Sequence, residues 1–140
     1  MPMNFLVGSA VAVFLLDQAS KSLIQLRLEN RTLSLGSIVT LRHLASTRGH
    51  YRVASARAAM IVIWAAAFVA AALLSSTSGP TSSPSVQVAM GAALGGAAGN
   101  LSDVLRMRSV RDFIDLGWWP VFNLADVAIV AGIIGLLIGR

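Results

Sequence analysis

Asp112 and Asp126 stand 14 positions apart, where a loop gives way to an apolar stretch. The run reads Arg111-Asp112-Phe113-Ile114-Asp115, then Gly117-Trp118-Trp119-Pro120, then Phe122-Asn123-Leu124-Ala125-Asp126, and it continues apolar to Gly139. A carboxylate at the mouth of a membrane helix is costly, so it is usually kept for chemistry. Two carboxylates that converge on one spot can share a proton, and such a pair activates water for peptide hydrolysis in aspartic proteases. Asp112 and Asp126 are therefore the candidate catalytic pair.

Other polar residues fall at helical spacing. Asp17 and Lys21 are related as i and i+4, so they share a helix face and can pair. That pair fits two readings, interfacial snorkelling or the fixing of the first helix beside a site. Asn100 and Asp103 are related as i and i+3, and Asn123 and Asp126 repeat that spacing. Each such pair lies on one helical face. A single pair would read as a polar helix end meeting water. Two pairs with Asp112, Asp17 and Lys21 at the same side read as one polar pocket, since perturbed carboxylates cluster in functional sites. Asp115 reads as an exposed loop acid, and Trp118 with Trp119 as an interfacial belt.

Membrane elements must position these residues. Of 140 residues, 56% are hydrophobic and 12% charged, against roughly 25% charged in soluble domains. The chain reads as one integral membrane domain, 1–140, of membrane all-α class with a small β element. Four apolar spans are expected, at about 5–26, 56–74, 86–105 and 121–139, each near the roughly 20 residues a crossing needs. Between the first two, a β segment at about 30–52 alternates and then turns β-branched from Ile38, suggesting two or three short strands. Residues 75–85 are wholly serine, threonine, glycine and proline, an uncharged flexible loop. Gly91, Gly95 and Gly99 recur every four residues, the pattern of close helix packing. The apolar start lacks a basic leader and a small-x-small cleavage site, so it reads as a retained helix.

Composition also excludes. There is no cysteine, hence no disulfide, thiolate metal site or cysteine nucleophile. His43 and His50 form no HExxH, so neither a zinc site nor any cofactor is expected. The net charge of +5 is scattered and accompanies no recognition module, so it points to phospholipid headgroups and not to nucleic acid.

The ordered blocks Gly99-Asn100-Leu101-Ser102-Asp103, Val110-Arg111-Asp112-Phe113-Ile114 and Phe122-Asn123-Leu124-Ala125-Asp126 resemble those of signal peptidase II, which read much like GNxxDR, VVDFI and FNxAD. Asp17-Gln18-Ala19-Ser20-Lys21 is similar to that family's first block, DxxxK. The resemblance implies four transmembrane helices with a short extracytoplasmic sheet between the first two. It implies a bacterial cytoplasmic (inner) membrane enzyme, an aspartic endopeptidase. It also implies a metal-free dyad of Asp112 and Asp126, supported by Asp17, Lys21, Asn100, Asp103 and Asn123. The implied substrate is a prolipoprotein already bearing a diacylglyceryl group, cleaved by a monomer at the extracytoplasmic face.

Two positions depart from the family pattern. Val104 stands where an arginine is usual, with Arg106 and Arg108 nearby but on other helix faces. The stretch from Leu44 to Tyr51 lacks the asparagine usual after the strands. These departures keep a second reading open, a catalytically impaired paralogue acting as a lipoprotein- or lipid-binding membrane partner. Ten of the 11 Lys and Arg residues lie on the face with the first and third loops, which the positive-inside rule would place in the cytoplasm; the family resemblance places it outside.

Overall fold

The computed structural model describes residues 4–28, 32–35, 39–42 and 83–139. In chain order these form α1 (Asn4–Arg27), β1 (Thr32–Leu35), β2 (Val39–Arg42), α2 (Pro84–Met107), β3 (Ile114–Asp115) and α3 (Leu124–Ile138). The expected span at 56–74, the stretch from Leu44 to Tyr51 and most of the serine-rich loop lie outside the described residues.

Helix α1 turns the usual pattern inside out. Phe5, Leu15, Leu16 and Leu23 face outward, while Asp17 and Lys21 are buried. Its most apolar 18-residue stretch has a mean hydropathy of 1.3, and its 24 residues extend about 36 Å at 1.5 Å per residue. Among the described residues it is the one helix long and apolar enough to cross a membrane, and α3 is a shorter apolar helix. The expectation of four crossings therefore rests on the sequence pattern.

Helix α2 lies between α1 and α3. A Cβ on Gly95 would press into the Ala10 backbone of α1, and one on Gly99 would meet the Asp17 carboxylate. Gly96 serves the opposite side, where an added Cβ would lie 2.5 Å from the Ala125 carbonyl of α3. The helix starts inside the serine-rich stretch. Ser83 caps it by accepting from Val86 N–H at 3.4 Å, and Pro84 takes a first-turn position, where its missing N–H costs nothing. It ends at Arg108, whose left-handed φ of 62° lets its N–H reach the Val104 carbonyl.

The strands form one antiparallel sheet in the order β1-β2-β3. Leu33 pairs with Leu41, and Thr40 pairs with Asp115. The third strand comes from the loop after α2, not from the segment between the first two expected spans. Two residues carry no readable alternation, so pattern alone could not find it. Its effect is to tie the sheet to the loop that holds Asp112. Further along, Phe113 and Ile114 both donate to the Phe122 carbonyl at 3.1 and 2.9 Å, and Phe122 donates back to Ile114 at 3.1 Å.

Candidate active site

Four elements contribute to one buried polar cluster. From α1, Lys21 reaches Asp17 Oδ2 at 2.7 Å, Asn100 Oδ1 at 2.9 Å and Asp103 Oδ2 at 3.0 Å. The other oxygen of Asp17 accepts from the Ala125 N–H at 3.0 Å. A carboxylate of α1 thus satisfies an amide in the first turn of α3, where donors lack helical partners and negative charge is favoured.

The asparagines carry the cluster outward. Asn100 Oδ1 accepts from both Lys21 and Asn123, which leaves its amide nitrogen to donate to Asp126 Oδ1 at 2.8 Å. Asn123 Oδ1 accepts from the Asp126 N–H at 3.1 Å, so its nitrogen donates to Asn100 and to Asp112 Oδ1, the latter at 2.7 Å. Asp126 Oδ2 in turn accepts from the Asn123 N–H at 3.1 Å. Asn123 and Asp126 thereby form the capping box that starts α3.

Charges in this cluster fall into two groups. Asp17 and Asp103 contact cations directly. The donors to Asp112 and Asp126 given above are neutral amides. Burial, and next the charge of Asp126, push the Asp112 carboxyl up to about 6, against a partial lowering by the Asn123 hydrogen bond and by Lys21. A neighbouring negative charge disfavours ionisation of a carboxyl, so Asp112 is the one that retains its proton more readily.

All seven residues nominated from sequence occur in this network: Asp17, Lys21, Asn100, Asp103, Asp112, Asn123 and Asp126. Two further residues belong to it, Arg111 and Gln18. Arg111 donates to Asp103 Oδ1 through Nε at 3.1 Å and Nη2 at 2.7 Å, and its backbone N–H reaches Oδ2 at 3.1 Å. Gln18 accepts from Arg111 Nη2 at 2.8 Å and donates to the Gly99 carbonyl and to Asp103. Neither Arg106 nor Arg108, both exposed, takes the place left by Val104; Arg111 reaches Asp103 from the loop. The available signals were an amide between Asp17 and Lys21 in an apolar helix, and an arginine beside Asp112 where the resembled block has valine. Asp115 accepts from the Gly117 N–H at 2.8 Å in an exposed turn.

Asp126 also borders an open apolar cavity of about 340 Å³, lined by Trp119, Phe122, Val127, Val130 and Ile134 among others. Chemically, the arrangement offers two hydrogen-bonded carboxyls beside an apolar groove, on elements held by buried ion pairs. Among the described residues no group of His, Cys, Asp or Glu could hold a metal ion.

Comparison with known proteins agrees with this architecture. The family model for signal peptidase (SPase) II matches residues 9–139. The chain is 70% identical over 40 residues to a lipoprotein signal peptidase of Syntrophomonas wolfei and 67% identical over 36 residues to one of Moorella thermoacetica. These stretches are 29% and 26% of this chain and span 27% and 24% of the relatives' own lengths, about a quarter of each. A bacterial membrane enzyme structure determined by the in meso method at 1.9 Å superposes with a TM-score of 0.72 at 22% identity, covering 95% of this chain and 90% of that one. At that identity the likeness is one of fold.

Proposed function

The chain belongs to the signal peptidase II family, and from that membership we propose that it is an aspartic endopeptidase that removes signal peptides from diacylglyceryl-modified prolipoproteins. The observation that carries this reading is the sorting of charge in the cluster. Lys21 and Arg111 neutralise Asp17 and Asp103, while Asp112 and Asp126 are held by the amides of Asn123 and Asn100. Burial and the charge of Asp126 raise the Asp112 carboxyl to about 6, which lets it hold the proton the reaction needs. In the proposed reaction Asp126 takes a proton from water as the oxygen attacks the scissile carbonyl. Asp112, protonated, donates to the carbonyl oxygen. Collapse of the tetrahedral adduct breaks the C–N bond: the proton taken from water leaves on the new amine, and the hydroxyl formed from the carbonyl oxygen returns its proton to Asp112 as the C=O reforms.

The setting supports a membrane-embedded substrate. Exposed apolar side chains of α1 and α3, among them Leu16, Val130, Leu137 and Ile138, suit lipid contact. Trp118, 75% exposed, and Trp119 suit the headgroup level. The groove beside Asp126 fits the apolar part of the substrate. We place the chain in the bacterial cytoplasmic membrane as a four-span monomer with the site at the extracytoplasmic face. Lys21 and Arg111 point into the cluster, which reduces the free positive charge on that face.

Purified protein is assayed on a diacylglyceryl-modified prolipoprotein beside Asp126→Asn and an active family member. Cleavage that vanishes in the variant supports the reading. A folded wild type that leaves the substrate intact while the family member cleaves it sinks the reading.

A further inference from the structure

Asp112 is the one member of the pair that no helix carries; it lies in the loop between α2 and β3. Its aim depends on what fixes that loop on either side. Downstream, Phe113 is buried and its N–H bonds to the Phe122 carbonyl. Upstream, Arg111 grips Asp103 twice over, side chain to Oδ1 and backbone N–H to Oδ2. That closed ring fixes the backbone of residue 111 and so the direction in which Asp112 departs. Nη2 of the same guanidinium also reaches Gln18, which binds the loop to α1 as well as α2. Asp126, by contrast, is seated on α3.

We propose, on the peptidase reading above, that Arg111 is a positioning residue for catalysis, which locks the Asp112 loop to α1 and α2 so that its carboxyl meets the one borne by α3. It replaces, from a position seven residues later, the arginine that the resembled block carries where this chain has Val104. Val104 is itself 3% exposed, so no cation reaches Asp103 from that position. Arg111 suits the task because a planar guanidinium engages two acceptors at fixed angles, which an ammonium does not.

Arg111→Met and Arg111→Lys are compared with wild type for kcat and KM on a diacylglyceryl-modified prolipoprotein. The Asp112 carboxyl carbon is titrated by NMR in the same detergent. Asp112 faces Asn123 and Asp126 from α3, Asp103 from α2 and Lys21 from α1, so its titration reports whether it still occupies the cluster. We expect Arg111→Met to lower kcat about 10- to 100-fold, the effect of roughly 1 Å of misplacement, with KM within about twofold. Asp112 should then titrate near the ordinary aspartate value of about 4, not at about 6. Arg111→Lys should recover part of both, and it carries the measurement if the Met variant does not fold. An unchanged Asp112 titration in the variants overturns the proposal, whether or not kcat falls. If wild type cleaves and Arg111→Met retains full kcat, the positioning role falls and the peptidase reading stands. If folded wild type does not cleave, the peptidase reading falls, and the titration alone decides whether Arg111 positions Asp112.

Discussion

Asp112→Asn should make the protein more stable at alkaline pH while abolishing cleavage. The Asp112 carboxyl is raised from 3.8 to about 6, first by burial and then by the charge of Asp126. A carboxyl raised on folding favours the folded state below its unfolded value, and that advantage is lost as pH climbs through the folded value. Wild type therefore loses stability between about pH 4 and pH 6 and stays lower above it. About two pH units correspond to about 3 kcal/mol at 1.4 kcal/mol each, and partial exposure of Asp112 cuts this to about 1.5 kcal/mol. Asparagine is isosteric and still accepts from Asn123 Nδ2, so the 2.7 Å hydrogen bond survives the change. For a chain of this size about 1.5 kcal/mol corresponds to about 5 °C in Tm. Thermal unfolding of wild type and variant in one detergent, at pH 8 and at pH 4.5, measures it. The gain should be present at pH 8 and shrink toward zero at pH 4.5. An equal difference at both pH values, or a variant less stable at pH 8, would refute the account of Asp112 as a buried, charge-crowded acid.

Lys21→Met should destabilise by about 3–5 kcal/mol, because it strips a buried cation from Asp17 and Asp103 together; adding Asp17→Asn should recover part of the loss in the same unfolding assay. Gly99→Ala should cost about 1–3 kcal/mol through overpacking against the Asp17 carboxylate, read as lower Tm, and an unchanged Tm would mean that α1 and α2 are less closely apposed than described. Asp115→Asn should keep cleavage within about twofold, since the amide oxygen still accepts from the Gly117 N–H; complete loss would point to Asp115 as the working loop acid.

Of the residues nominated from sequence, Asp17, Lys21, Asn100, Asp103 and Asp126 share one property, that each is a polar group where an apolar helix should have none. The cost of burying such a group without partners makes its presence informative, and Asp17, Lys21, Asn100 and Asp103 are all buried with partners. The glycine spacing of α2 was legible for the same kind of reason, because periodicity in a helix maps directly to a face. Loops have no period. Nothing in the spacing of Arg106, Arg108 and Arg111 says which one folds back onto Asp103, and the two residues of β3 are too few to show alternation. Gln18 gives no separate signal, because Asp17 and Lys21 account for the polarity of that turn by themselves. Despite the departure at Val104, Asp103 has an arginine partner, because Arg111 reaches it from the loop.

The bridge between Ile114 and Phe122 has a consequence for how such chains can vary in length. Three backbone hydrogen bonds close the chain there, after Asp112 on one strand and before Asp126 on the other. Beyond Asp115, the residues from Leu116 to Val121, including the outward-facing Trp118 and Trp119, form a loop hung outside the closure. Doubling such a loop costs only about 0.6 kcal/mol in closure entropy. The 14-residue interval between the aspartates is therefore a count along the chain that the chemistry does not feel. Insertions at the loop tip can resize what meets the lipid surface without moving either carboxyl, whereas a single inserted residue between Asp112 and Phe113 would turn the acid away from its partner.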